Sequence, residues 1–278
     1  MVGYQEVEDR ICSIFKEQQG ENINLSEKIK ESLGLSSTKI VKVDSNISKN
    51  HNSKTDVLVI FEDGKKLKIS IKKENADYYG NWYTHQRIIK EFGESALDKL
   101  VKKTTEWAND WIKQDSSSFF LGVSINFGKR VGNTFMEFNE VFTTNDIKSI
   151  VQGHNLSLDI SSNVLLQVNG DINNIDEVIE GLLIFDEKLL NSLFRDIKII
   201  FRPVNPMTER SNRGKQIYTK FVPDNKFLEE EYITNKDSLK KLGSFKPIDY
   251  SNEEYKLNHN RLIAELKEKY NVRIKIKT

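Results

Sequence analysis

The sequence has a single cysteine, Cys12, and no run of eighteen apolar residues. One cysteine excludes an internal disulfide and a cysteine-rich zinc site, and such sparing use of cysteine fits a reducing cytoplasm. A membrane-spanning helix needs about twenty apolar residues, and the N-terminus lacks a basic start followed by an apolar stretch. We therefore expect a soluble protein that is neither exported nor bound to a membrane.

Several well-known enzyme signatures are also missing. The chain has no phosphate-binding glycine loop, dinucleotide-binding fingerprint or serine-hydrolase elbow. Its four histidines show no His-x-x-x-His spacing or comparable pattern, which argues against a structural zinc. Any chemistry must therefore come from residues outside these signatures.

Charge is balanced over the whole chain but not locally. There are 42 basic and 41 acidic residues, giving a net charge of +1. Between Arg202 and Lys226, however, six basic residues face two acids, and Arg261 to Thr278 shows the same ratio. Clustered cations indicate an anionic partner, although a lysine-rich chain also shows such excesses by chance.

Hydrophobic periodicity predicts a mixture of helices and strands in mixed order. Helices are predicted at Tyr4–Lys16, Leu25–Leu33, Ala76–Phe92 with a break at Gly80, Ser95–Gln114, Asn145–Gln152, Ile175–Phe194 with an interruption at Gly181, and Asn252–Lys269. Strands are predicted at Lys39–Val43, Val57–Phe61, Leu67–Ile71, Phe119–Phe127, Phe135–Phe142, Val164–Val168, Ile197–Phe201, Gln216–Phe221 and Val272–Ile276. This order predicts an α/β or α+β core rather than a bundle or a sandwich.

The hairpin at residues 57–71 has two chemically different faces. Glu62-Asp63-Gly64 supplies its turn, with an Asp-Gly pair suited to positive φ. Because successive side chains of a strand point to opposite faces, the second strand places Leu67, Ile69 and Ile71 on one face. Lys66, Lys68, Ser70 and Lys72 lie on the other. We expect any chemistry on this second face.

Four groups are predicted to meet where the two hairpin strands end side by side. They are the carboxylate of Asp56, the hydroxyl of Ser70, the carbonyl of Ile71 and the ammonium of Lys72. Phosphodiester hydrolysis needs a hard cation held by oxygens, and a lysine to orient or help deprotonate the attacking water.

One carboxylate holds Mg²⁺ weakly, so a second acid is expected. Glu8 is the candidate, because it shares a helical face with Ile11, Cys12 and Phe15, and Glu6 is the second choice. An edge strand made soluble by lysines would show the same hairpin pattern.

The sequences Lys54-Thr55-Asp56 and Ser70-Ile71-Lys72, followed by the aromatic segment 81–85, resemble the PD-(D/E)xK nuclease superfamily. The likeness is greatest to type II restriction endonucleases of the MspI type, which cut short sites, and it is best over residues 3–92. It implies a restriction-endonuclease-like core, a central mixed sheet flanked by helices with an added DNA-recognition region. In that branch an acid or an amide stands where this chain has Ser70.

The resemblance also implies a cofactor, a partner and a cellular setting. Mg²⁺, with Mn²⁺ as a substitute, would be held by Asp56, the Ile71 carbonyl and Glu8, and Ser70 would hold a metal-bound water. Double-stranded DNA would be the substrate in a bacterial cytoplasm, and a cognate DNA methyltransferase would protect the host. Monomer and homodimer both stay open.

On this interpretation the chain divides into three functional regions. Residues 1–125 would form the catalytic core, 126–235 the DNA-recognition region and 236–278 a C-terminal extension of one helix and one strand. Base readout in the recognition region suits arginine and asparagine, whereas lysine suits phosphates. The candidate DNA-binding residues are Lys129, Arg130, Arg202, Asn205, Arg210, Asn212, Arg213 and Lys215.

The sequence is also consistent with two other functions. A repair or recombination nuclease of the same fold would read DNA structure instead of sequence. A catalytically inactive DNA-binding protein would be consistent with Ser70 in place of an acid. His85, on the helix after the lysine, would either touch the scissile phosphate or lie on the helix surface.

Overall fold

The computed structural model shows a mixed α/β protein. It describes residues 4–45, 53–73, 79–80, 83–114, 119–129, 132–153, 161–168, 170–204, 216–250 and 259–275. Within these ranges, no helix combines the length and the apolar character needed to cross a bilayer.

The helices are α1 Tyr4–Glu17, α2 Glu27–Leu33, α3 His85–Phe92, α4 Glu94–Trp111, α5 Thr144–Val151, α6 Ile175–Glu180, α7 Glu187–Asp196, α8 Lys236–Leu242 and α9 His259–Tyr270. The strands are β1 Ile40–Ser45, β2 Val57–Phe61, β3 Lys66–Lys73, β4 Gly122–Gly128, β5 Phe135–Glu137, β6 Val164–Val168, β7 Leu182–Ile184, β8 Lys198–Val204, β9 Thr219–Pro223, β10 Glu231–Ile233, β11 Gly243–Pro247 and β12 Val272–Ile274. A short 3₁₀ turn, Phe138–Glu140, follows β5.

The chain forms two compact units, each made of two segments. Unit 1 comprises Met1–Tyr79 and Phe142–Ile197, and unit 2 comprises Gly80–Val141 and Lys198–Thr278. These bounds differ from the predicted functional regions 1–125, 126–235 and 236–278. Residues 142–197 pack with the N-terminal segment because β6 pairs with β3.

Unit 1 is built on a mixed five-stranded sheet of order β1-β2-β3-β6-β7. The strands β1, β2 and β3 are antiparallel neighbours, β3 and β6 run parallel, and β6 and β7 are antiparallel. Apolar side chains at alternate positions, such as Val57, Val59, Leu67, Ile69 and Ile71, are completely buried. The second hairpin strand is therefore a central strand of the sheet.

Helices flank this sheet, and α1 contacts β1 and β2. Ile11, Ile14 and Phe15 of α1 are buried in the same apolar cluster as Val57 and Ile69. The spacing of three and four residues between these positions makes one apolar stripe along the helix. Burial of this stripe fixes which side of α1 faces the sheet.

Unit 2 contains an antiparallel five-stranded sheet of order β11-β9-β4-β8-β5. The helix α4 packs against β9 and β11, and α9 contacts β9 and β12. A separate two-stranded parallel sheet joins β10 to β12. Trp107, which is partly buried, stacks on Phe201 with ring centroids 4.4 Å apart.

The predicted helix at Ile175–Phe194 is wrong in its middle. Here α6 ends at Glu180, β7 occupies Leu182–Ile184, and α7 begins at Glu187. A Cβ on Gly181 would lie 2.8 Å from Leu166 Cδ1, so the glycine allows the chain to come close to β6. Hydrogen bonding of β7 to β6 then outweighs the local helical pattern.

The predicted helix over Ala76–Phe92 is not helical at residues 79–80 and 83–84, whereas residues 76–78 and 81–82 lie outside the described residues. Gly80 forms an isolated antiparallel bridge with Phe127, and α3 begins only at His85. Thr84 caps this helix, because its Oγ1 accepts a hydrogen bond from Arg87 N at 3.2 Å.

Other boundaries differ as well. The predicted strand Phe135–Phe142 ends at Glu137, where the chain enters the 3₁₀ turn. The sequence pattern predicts no element at β10, α8 or β11. These are short segments of three to seven residues, whose periodicity is weak.

The side chain of Asn163, just before β6, forms hydrogen bonds with the backbone of β3. Its Oδ1 accepts from Lys68 N at 2.7 Å, and its Nδ2 donates to Lys66 O at 2.8 Å. Its own amide N donates to Lys68 O at 2.9 Å. The side chain thus supplies two hydrogen bonds that a ladder would otherwise provide.

We predict that Asn163→Ala lowers the free energy of unfolding by about 1–3 kcal/mol, because Lys68 N and Lys66 O lose their partner. Asn163→Asp keeps an acceptor for Lys68 N but places a carboxylate oxygen against Lys66 O, and because two acceptor oxygens repel, a loss of stability is expected here too. Urea unfolding followed by circular dichroism measures both. Equal stability of Asn163→Ala and the unmodified chain would contradict this role.

Candidate active site

Asp56 is fixed at the residue before β2 by both its main chain and its side chain. Its amide N donates to Ile69 O at 2.8 Å. Its Oδ2 accepts a hydrogen bond from Ile71 N at 2.6 Å. The carboxylate thereby continues the pairing of the hairpin beyond β2 and is oriented toward β3. Thr55 strengthens this anchor, since its Oγ1 donates to Ser161 O at 3.0 Å.

Lys72 reaches back to the same place. Its Nζ donates to Ile71 O at 2.9 Å and lies 3.8 Å from Asp56 Oδ2. The side chains of Lys72 and Asp56 are only 16% and 20% exposed. An ion pair this sheltered is screened by water less than one on an open surface. The predicted convergence of Asp56, Ile71 and Lys72 is therefore observed.

Glu8 lies within the electrostatic range of this pair. Its side chain is half-buried on α1, next to the buried Ile11 and Cys12. Burial and the negative charge of Asp56 raise the pKa of Glu8 from 4.5 to about 7, and Lys72 opposes that shift. The second choice, Glu6, is exposed. The structure thus groups Glu8 rather than Glu6 with Asp56.

Ser70 is completely buried on β3, two residues before Lys72. Its Oγ has no hydrogen-bond partner among the residues that the structure describes. A buried hydroxyl without a partner is costly, and a bound water is the usual remedy. Ser70 adds no negative charge to this site, and its hydroxyl is enclosed by the fold.

The position of β3 bears on the alternative that the lysines merely keep an edge strand soluble. That alternative is wrong, because β3 lies between β2 and β6. A central strand presents no open backbone edge for lysines to protect. Lys72 is nonetheless mostly buried, so its charge must be compensated locally, as the Asp56 carboxylate does.

One polar neighbour of Lys72 is not predicted from the sequence. Gln167 of β6 pairs in register with Lys72. Its Nε2 donates to Tyr79 Oη at 3.3 Å. The signal was a single amide in the otherwise apolar strand Val164–Val168, but the parallel pairing that brings it beside Lys72 is not readable from sequence.

The candidate DNA-binding residues that the structure describes belong to unit 2. Arg202 is partly buried on β8 and pairs in register with Ser124, whereas Lys129 follows the last residue of β4. Lys129 is five residue steps along the chain from Ser124, about 16 Å in an extended strand, so Arg202 and Lys129 do not form one cluster. Arg130, Asn205, Arg210, Asn212, Arg213 and Lys215 lie outside the described residues.

His85 is not on the surface of its helix, so the expectation of a surface histidine is wrong. It is 6% exposed in unit 2, and its Nε2 is hydrogen-bonded to Ile217 O at 2.9 Å. Its ring packs edge-on against Tyr218. Burial lowers the pKa of His85 to about 4, so the ring is neutral and serves packing.

The oxygen atoms around Asp56 fit a hard cation. Two carboxylates and a carbonyl are ligands that Mg²⁺ prefers, with water completing the shell. Within the described parts of the chain, no group of three or more histidine, cysteine or acidic residues is placed to hold a metal. A cation here would thus depend on Asp56, Glu8 and the Ile71 carbonyl, with the buried Ser70 hydroxyl beside them.

The chain was compared with protein-family models, with curated proteins and with solved structures, and none of the three comparisons returned a match. The chemistry of the residues around Asp56 is therefore what supports a function.

The raised pKa of Glu8 makes the stability of the fold depend on pH. Between about pH 4.5 and 7 the folded chain keeps a proton on Glu8 that the unfolded chain has released. Stability contributed by this group is therefore lost as the pH rises through that window.

We predict that Glu8→Gln matches the unmodified chain in stability near pH 4 and exceeds it at pH 8, because the amide stays neutral. Urea unfolding at the two pH values measures this difference. Glu6→Gln, which removes an exposed carboxylate from the same helix, controls for net charge. Parallel stability curves for Glu8→Gln and the unmodified chain would contradict the placement of Glu8.

Proposed function

We propose that this protein is a Mg²⁺-dependent endonuclease that hydrolyses double-stranded DNA at a short sequence, as type II restriction enzymes do. On this proposal the mixed sheet of unit 1 is a restriction-endonuclease-like core. The observation that carries the proposal is the contact of Asp56 with both Ile71 and Lys72 on a central strand.

The placement of Lys72 supports catalysis better than it supports stability. A lysine in the middle of a sheet must be desolvated, and one exposed on an edge strand would not be. Its ammonium is held by a carboxylate and a carbonyl that are both oxygen ligands of the kind a metal uses. Glu8 adds a second carboxylate, whose elevated pKa reflects repulsion by Asp56 as well as burial.

Each residue then has a definite task. Asp56, Glu8 and the Ile71 carbonyl hold the cation, which would act as a Lewis acid on the phosphate and lower the pKa of a bound water. Lys72 orients or helps to deprotonate the attacking water and offsets negative charge on the phosphate. Ser70 holds a water through its hydroxyl, in place of the acid or amide of the family that the chain resembles.

Recognition of DNA is assigned to unit 2 on the chemistry of its cations. Arg202 suits guanine and Lys129 suits phosphate. The local excess of basic residues between Arg202 and Lys226 supports an anionic partner. A cognate DNA methyltransferase belongs to this proposal as well, because a host must protect its own sites.

We predict that Asp56→Ala and Lys72→Ala each lower the rate of cleavage by at least about a hundredfold, since each removes charge that the transition state requires. Binding of DNA is expected to persist in both. Lys66→Ala is the matched control, because Lys66 is exposed on the same strand about 20 Å from Lys72. The measurement is digestion of unmethylated phage DNA in Mg²⁺ and in EDTA.

The pattern on the gel separates the candidate functions. Discrete bands that need Mg²⁺ would support a sequence-specific enzyme. A smear would support a nuclease that recognises DNA structure, or one that cuts without specificity. Intact DNA together with specific binding would favour an inactive DNA-binding protein, which the serine at position 70 makes the second candidate. If the Asp56→Ala variant cleaved DNA at the rate of the unmodified chain, the assignment of the active site to Asp56 would be wrong.

A further inference from the structure

Lys72 occupies the position that its neighbours offer to a cation. Its ammonium donates to Ile71 O at 2.9 Å and lies 3.8 Å from Asp56 Oδ2. These two oxygens are also the proposed ligands of Mg²⁺. The Lys72 ammonium and a divalent cation would therefore compete for the same two oxygen ligands.

We infer that Lys72 is the resident cation of this site, and that a divalent cation binds by exchange with its ammonium group. The inference rests on the proposed function for the choice of metal. It assigns Lys72 a second role, in metal affinity, in addition to its role beside the attacking water.

Electrostatics makes the exchange necessary. Two positive groups within about 4 Å of each other, in a sheltered site, repel strongly. The ammonium group cannot remain on Ile71 O while a divalent cation binds that carbonyl and the Asp56 carboxylate. Lys72 must therefore leave Ile71 O when the metal enters.

The chemistry of lysine makes the exchange possible. Its ammonium is a compact charge on a flexible four-carbon stem, so it can withdraw without moving the backbone of β3. Asp56 stays in place meanwhile, because its Oδ2 accepts from Ile71 N and its main chain bonds to Ile69 O. The ligands are thus preorganised by hydrogen bonds that do not involve Lys72.

Before the metal binds, Lys72 balances the charge of Asp56. A mostly buried carboxylate without a cation would be costly. Because Lys72 must first be displaced, the affinity of the site for a metal is lower than the oxygen ligands alone would give. A purely structural lysine has the opposite effect, because its loss would loosen Asp56 and weaken metal binding.

The test is Mn²⁺ affinity, measured at pH 8 from the electron paramagnetic resonance signal of free Mn²⁺, with no DNA present. Lys72→Gln and Lys72→Met are each expected to bind Mn²⁺ at least about tenfold more tightly than the unmodified chain, or about 1.4 kcal/mol. Glutamine can still donate to Ile71 O, so it keeps the local packing if methionine disturbs the fold. Urea unfolding without Mn²⁺ confirms that each variant is folded.

Two control variants locate the effect. Lys66→Met makes the same change of net charge on the exposed part of β3 and is expected to leave Mn²⁺ affinity within about twofold of the unmodified value. Asp56→Asn is expected to abolish binding at this site.

Failure of the inference differs from failure of the proposed function. If Mn²⁺ binding needs Asp56 but is unchanged or weaker in both Lys72 variants, the exchange is wrong and the metal site stands. If no variant shows Mn²⁺ binding that depends on Asp56, the metal-dependent function is overturned, and the exchange with it.

Discussion

The hydrogen bond from Ile71 N to the Asp56 carboxylate is the interaction on which the proposed site depends. It fixes a carboxylate at the junction of the two hairpin strands, where Lys72 can approach it from β3. The strand itself is held on both sides, by β2 through the hairpin and by β6 through parallel pairing and Asn163. Preorganisation of this kind lets charged groups meet without a further cost of ordering when the substrate arrives.

Electrostatics at this junction is finely balanced. Asp56 and Lys72 compensate each other, whereas Glu8 stands next to them with its pKa raised by burial and by Asp56. Ser70 adds a buried hydroxyl with no charge. A cation that is held by oxygens would relieve the repulsion between the two carboxylates, and the departing ammonium would remain within reach of a phosphate. The same four side chains would then provide both the resting state and the reactive state of the site.

Local patterns predicted much of this arrangement, and non-local pairing was not predictable. Period-two alternation correctly placed Ile69 and Ile71 in the core, and the stripe of Ile11 and Phe15 correctly turned α1, with Glu8, toward the sheet. The prediction of a helix across Gly181 was wrong because Leu182–Ile184 forms a strand that pairs with β6. Likewise the parallel contact of β3 with β6, which makes β3 central, joins residues nearly a hundred positions apart, and no local signal specifies it.

Crystals soaked in Mn²⁺ and measured for anomalous scattering would test the site most directly. We predict one Mn²⁺ within about 2.3 Å of the Asp56 carboxylate, the Ile71 carbonyl and Glu8, with the Lys72 ammonium withdrawn from Ile71 O. Mn²⁺ absent from these oxygens at saturating concentration, with Lys72 still donating to Ile71 O, would contradict it.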